Sequence, residues 1–186
     1  MDGSLTKDRI EGLIDDRVEQ GSFRVDRSIY TDTDIFNIDM ERIFENGWVY
    51  LCHESQIADA GCYYATEIGR QPVVVIRQKE GGIAAFINVC SHRGAILTPK
   101  KMGKALTLTC RFHGWAYNGE GRCIRIKNQK EGFGEKNFER SQFNLKPIGK
   151  LEVYKGFIFG SMTQNVEPIK KYLGAAAMWI DLMVEQ

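Results

Sequence analysis

Three features of this chain predict a mainly β fold with flanking helices. Short runs rich in β-branched and aromatic residues recur through the middle, turn residues punctuate them, and helical periodicity is confined to the two ends. Residues 6–20 place Ile10, Leu13, Ile14 and Val18 on one helical stripe that stops at Gly21, so an amphipathic arm is expected there. A second helix is expected from a cap at Thr31 or Thr33 through Ile35, Phe36, Ile38, Met40, Ile43 and Phe44 to Asn46-Gly47. The period then changes to two. Strands are predicted at 48–52, 63–68, 73–77, 83–88, 106–109, 115–117, 123–126, 151–154 and 157–161, with hairpin turns marked by Gly81-Gly82 and Asn118-Gly119. So many short strands argue for antiparallel sheets stacked on one another. Residues 127–142, charged and carrying only Phe133 and Phe138 as large apolar groups, read as a solvated surface loop. Pro168 opens a final helix whose stripe Ile169, Leu173, Ala176, Ile180 and Met183 calls for a packing partner.

Composition narrows the function. The 186 residues suffice for one core with arms, not two ordinary domains. With 25 basic and 24 acidic residues the net charge is +1, which supplies no global field for nucleic acid. The longest apolar run is about six residues, far short of the ~20 a membrane span requires, and no export signal opens the chain. A cytoplasmic location without membrane or nucleic-acid partner is therefore expected. Cys52, Cys62 and Cys123, an odd number, read as reduced, packed thiols.

Chemistry concentrates in Cys90-Ser91-His92 and Cys110-Arg111-Phe112-His113, each supplying one thiolate and one imidazole. Sulfur with imidazole suits zinc or iron. Zinc fingers commonly pair Cys with Cys and His with His; here each turn is mixed, which suits two metals side by side, both cysteines on one and both histidines on the other. A zinc-stabilised module remains the competing reading.

Cys90-Ser91-His92-Arg93-Gly94, with 17 residues between His92 and Cys110, and Cys110-x-x-His113-Gly114-Trp115 resemble the cluster motif of Rieske proteins. The resemblance is to the large (alpha) subunits of aromatic-ring-hydroxylating dioxygenases, most similar to the benzoate, toluate and anthranilate group. It runs from Ile29 to Gln186 and includes Ile43-Phe44-Glu45-Asn46-Gly47-Trp48, Gly69-Arg70-Gln71-Pro72-Val73-Val74 and Gly156-Phe157-Ile158-Phe159-Gly160. It implies Rieske-type stacked antiparallel sheets with two cluster-binding loops. It also implies a [2Fe-2S] cluster with Cys90 and Cys110 on the inner iron and His92 and His113 on the outer. Residues 1–46 then form a helical arm, 47–162 the Rieske domain, and 163–186 a connector toward a catalytic domain.

Further expectations follow. Electrons would come from a flavin/iron-sulfur reductase or ferredoxin and pass to a mononuclear Fe(II) outside this chain. Other oxygenase subunits would be partners in a trimer-based oligomer, and the substrate an aromatic carboxylate. Such an iron needs two histidines and a carboxylate, and with His92 and His113 committed only His53 is left among three histidines. No catalytic residue is therefore assigned here, and His53 reads as an ordinary hydrogen-bonded side chain. A stand-alone Rieske ferredoxin is the alternative, disfavoured by the helical arms. Ala95, Phe112 and Trp115 stand where respiratory relatives carry disulfide cysteines and a hydroxyl, so the sulfurs are expected to lack a hydroxyl donor. The potential then falls at the low end, roughly −150 to 0 mV. Arg111, where many relatives have proline, adds an amide donor and a charge. Trp115 suits both core packing and a place beside the cluster, and Arg93, Lys100, Lys101 and Lys104 make this end locally basic.

Overall fold

The computed structural model describes residues 7–134 and 138–185. The chain start at 1–6, loop positions 135–137 and Gln186 lie outside the described residues. A short helix α1 (Lys7–Glu11) leads into a hairpin of β1 (Ile14–Arg17) and β2 (Ser22–Val25), then α2 (Thr33–Asp39). The body follows as β3 (Val49–His53), β4 (Cys62–Ile68), β5 (Gln71–Arg77), β6 (Ile83–Ile87), β7 (Met102–Lys104), β8 (Thr107–Thr109), β9 (Ala116–Asn118) and β10 (Cys123–Arg125). Helix α3 (Gln129–Phe133), strands β11 (Lys150–Tyr154) and β12 (Phe157–Ser161), and helices α4 (Ile169–Leu173) and α5 (Ala176–Val184) complete the chain.

All nine expected strands form, each within two residues of its predicted ends. β5 organises them. Its run Val73-Val74-Val75-Ile76 is buried throughout, the signature of a strand covered on both faces. Val74 and Ile76, with Phe86 of β6, face one core that also takes Cys90, Leu108, Cys110, Trp115 and Tyr117. Val73 and Val75, with Ala85 and Ile87, face a second core built with Leu51, Cys52, Ile68 and Ile158. The antiparallel sheet β6-β5-β4-β7 is thus the middle layer, with β10-β9-β8 against one face and β11-β12-β3 against the other. β7 escaped prediction because Met102-Gly103-Lys104 has no alternating pattern; it is an edge strand held by pairing with β4.

The ends depart from expectation. The predicted helix over 6–20 is instead α1 plus the β1–β2 hairpin, paired from Ile14 opposite Val25 to Arg17 opposite Ser22. Val18 and Phe23 are exposed, so no core faces the apolar stripe, and a short helix without tertiary burial is marginal. Gly21 still ends a turn, but of the 3-10 segment Val18–Gln20, at φ 60°. In the second helix the cap is Asp32, between the two threonines expected. Its carboxylate accepts from the Asp34 and Ile35 amides at 2.8 and 3.2 Å, which hold it below the usual carboxylate range. α2 continues as a π turn, Met40–Phe44. Beyond it Glu45 takes a bidentate pair from Arg70 at 2.8 and 2.9 Å, tying the arm to the β4–β5 turn.

At the other end the single expected helix is broken at Gly174, φ 52°, into α4 and α5. The break rotates the buried stripe from Ala176 to Ala177; Ile169, Leu173 and Ile180 still pack on Trp48 and Phe159, whereas Met183 is exposed. Among the described residues no helix is long and apolar enough to cross a membrane.

Candidate metal centre

The two mixed Cys/His turns fold into the same backbone knot. In the first, the Cys90 amide donates to Ala95 O at 2.8 Å and the Gly94 amide to Cys90 O at 2.9 Å. In the second, the Cys110 amide donates to Trp115 O at 2.7 Å and the Gly114 amide to Cys110 O at 3.0 Å. Each knuckle closes through a glycine four residues after its cysteine, at φ 71° (Gly94) and 70° (Gly114), a conformation that an added Cβ would strain. Because the knots match, the one-residue difference in histidine spacing turns the imidazoles toward each other. The His92 and His113 ring centroids lie 4.7 Å apart, at 77°.

Burial sorts the four side chains. Cys90 and Cys110 are each 2 % exposed, while His92 and His113 sit half-buried at the rim. Burial pushes the Cys90 thiol up, opposed by the Tyr117 hydroxyl, and the neighbouring Cys110 adds to the rise. Burial, then His113 and Arg93, lowers His92 and so favours the neutral imidazole a metal needs. Among the described residues no three His, Cys, Asp or Glu side chains converge as a single ion would require. A thiol pair inside and an imidazole pair outside suit a binuclear iron–sulfur centre better than one tetrahedral zinc.

The surroundings hold three groups that sequence reasoning missed or misjudged. Tyr117, fully buried, places its hydroxyl 3.2 Å from Cys90 Sγ while accepting the Ser91 amide at 3.1 Å. A thiolate can only accept, so toward Cys90 in that state the hydroxyl is the donor. The expectation that the sulfurs lack a hydroxyl is therefore corrected. Strand alternation was the available signal, since it puts Trp115, just before β9, and Tyr117, within it, on the same core-facing side.

The loop at 127–142 is also more than a solvated excursion. Trp115, 2 % exposed, stacks on His92 at 4.8 Å and 9°, so it serves both the core and the centre. Phe133 and Phe143 meet its ring edge-on at 5.9 and 5.3 Å, and Phe138 stacks on Phe143 at 5.3 Å. Three aromatics spread along a charged segment show no periodicity, which is why the lid was not legible. On the His113 side, an Arg93 nitrogen sits 2.6 Å from His113 Nε2 and its guanidinium 5.9 Å from the Phe112 ring. Arg111 is exposed.

The remaining candidates lie elsewhere. His53 caps the 3-10 turn Glu54–Ile57, its Nδ1 accepting the Ser55 amide at 3.3 Å, and packs on Phe157. Cys52 and Cys123 are buried free thiols and Cys62 is half-buried.

Similarity to known proteins agrees with this geometry. Over 183 residues the chain is 38% identical to the toluate 1,2-dioxygenase alpha subunit of Pseudomonas putida, covering 98% of this chain and 40% of that protein. It is 39% identical over 188 residues to the 2-halobenzoate 1,2-dioxygenase large subunit of Burkholderia cepacia, with 98% and 40% covered. Among solved structures, naphthalene 1,2-dioxygenase from Rhodococcus sp. superposes with a TM-score of 0.80 at 33% identity, over 86% of this chain and 36% of that one. The chain thus spans about two-fifths of the curated relatives it matches. Residues 47–154 match the model of the Rieske [2Fe-2S] domain, and with most of its length inside that match the chain belongs to the Rieske [2Fe-2S] family.

Proposed function

We propose that this chain is the electron-transfer part of the large subunit of a terminal oxygenase that dihydroxylates an aromatic carboxylate. Cys90 and Cys110 would hold one iron of the cluster as thiolates, and His92 and His113 would hold the other through neutral imidazoles. The bound cluster supplies one-electron storage. Around it the chain's own residues do the rest: the twin knuckles set ligand spacing, Tyr117 donates to the Cys90 sulfur, and Trp115 with its phenylalanine lid excludes water from the His92 side. Electrons arrive from a flavin/iron-sulfur reductase or a ferredoxin and leave for a mononuclear iron that the chain's three histidines cannot also supply. On this reading residues 1–46 are an arm, 47–162 the cluster domain and 163–186 a connector.

One observation carries the oxygenase over a free ferredoxin. The similarity to dioxygenase subunits covers 98% of the chain, whereas the cluster domain accounts for 47–154, so the arm and the C-terminal helices are shared as well. The substrate class rests on toluate and halobenzoate standing in the names of those relatives. The test is to express the complete reading frame around these residues and supply NADH, a reductase and benzoate or toluate under ¹⁸O₂. Incorporation of both oxygen atoms into a cis-diol supports the reading; a cluster that cycles with no oxygen incorporation under any aromatic carboxylate overturns it.

A further inference from the structure

Charge is distributed unevenly along this nearly neutral chain. Residues 91–130, which contain both knuckles, carry nine Lys or Arg and one acidic residue, Glu120. The rest of the chain carries sixteen basic and twenty-three acidic residues. Outside this segment Arg70 is tied to Glu45, Arg77 to Glu54 and Lys150 to Glu152, and within it Lys104 is tied to Asp59. Arg111 and Lys127 are exposed and form no ion pair with a described acidic residue. They flank the second knuckle, for Arg111 lies within it and the Lys127 stem runs beside Gly114, 3.6 Å from where a Cβ would stand. One residue beyond Gly114, Trp115 stacks on His92 and is capped by Phe133, which is 43 % exposed.

We propose that Arg111, Lys127 and Phe133 form the docking surface for an acidic one-electron carrier, whose electron enters through Trp115 toward His92. This rests on the electron-transfer role proposed above. Uncompensated charge draws an acidic partner in and orients it, while the exposed ring over Trp115 gives a dry contact. The carrier loses one electron, the cluster gains one, and no bond is made or broken. Entry by His92 leaves the His113 edge, with Arg93 and Phe112, free for outward transfer.

The probe is an acidic plant-type [2Fe-2S] ferredoxin, whose low potential makes the transfer downhill. Binding of its oxidised form to the cluster-loaded chain is measured by calorimetry, and reduction by its photoreduced form is followed by visible bleaching. Arg111→Glu with Lys127→Glu is expected to weaken binding by about ten-fold or more at low salt, a difference that shrinks as salt is raised. Phe133→Leu, which keeps an apolar lid without the ring, is expected to slow reduction by bound ferredoxin by about ten-fold, with reduction by dithionite unchanged. Arg24→Glu, on the β1–β2 hairpin, serves as the charge control. Unchanged binding in the double variant, equal weakening by Arg24→Glu, or a Phe133→Leu rate equal to the parent would each overturn the proposal. A chain that takes up no cluster defeats the electron-transfer reading itself; a loaded chain that ignores ferredoxin defeats only the docking surface.

Discussion

Replacing Tyr117 by Phe removes one oxygen and leaves the buried ring in place, so it isolates the hydroxyl that reaches Cys90 Sγ at 3.2 Å. Because that oxygen also accepts the Ser91 amide, its proton is directed at the sulfur, and burial raises the tyrosine pKa so that the proton stays on. A hydrogen bond to a charged acceptor is worth about 1.5–3 kcal/mol. The reduced centre carries one more negative charge than the oxidised one, so part of this, about 1 kcal/mol, separates the two states. For a one-electron couple, where 59 mV is a tenfold change, that is about 40 mV. Tyr117→Phe is therefore expected to lower the midpoint potential by about 40 mV, measured by film voltammetry with circular dichroism confirming the fold. Loss of the Ser91 partner should also cost about 1 kcal/mol of stability. A potential that is unchanged or raised would falsify the claim that the hydroxyl donates to the ligand sulfur.

Three further outcomes test the rest of the structure. The purified chain should be red-brown, contain two irons and two acid-labile sulfides, and give a low-average-g resonance when reduced; His113→Cys should lower its potential, since a thiolate carries more negative charge than an imidazole. A colourless protein with stoichiometric zinc contradicts the centre. Gly121→Ala should destabilise by about 2–4 kcal/mol, a melting decrease of roughly 5–15 °C, because φ is +75° and the new Cβ would run into the Phe86 ring. A variant melting with the parent would mean that the turn repacks freely. Burial pushes the Cys52 thiol up to about 11, partly offset by Arg77. Between the free-thiol range near ~8.5 and that value the unfolded chain has lost the proton and the folded chain has not, so stability falls as pH rises. Melts from pH 8 to 10.5 should steepen this way in the parent and less in Cys52→Ala; equal slopes would remove Cys52 as the cause.

The cluster ligands and the strands were legible because both are written in local spacing. A mixed Cys/His pair needs only a five-residue turn ending in glycine, and β5 declares its double burial in four consecutive apolar residues, Val73 to Ile76. Ends and surroundings were not local. Ile14 and Val18 read as a helical stripe, but no core faces them, so pairing with 22–25 prevails and the segment forms a hairpin. The stripe after Pro168 ignored the left-handed turn at Gly174, which rotates everything beyond it. Tyr117 and Phe143 serve the centre from β9 and from the far end of a loop, 27 and 53 residues from Cys90, and no window along the chain joins them. Ligand identity is a property of short turns, whereas the hydrogen bond to sulfur and the aromatic lid exist only where stacked sheets bring distant residues within a few ångströms of one knuckle.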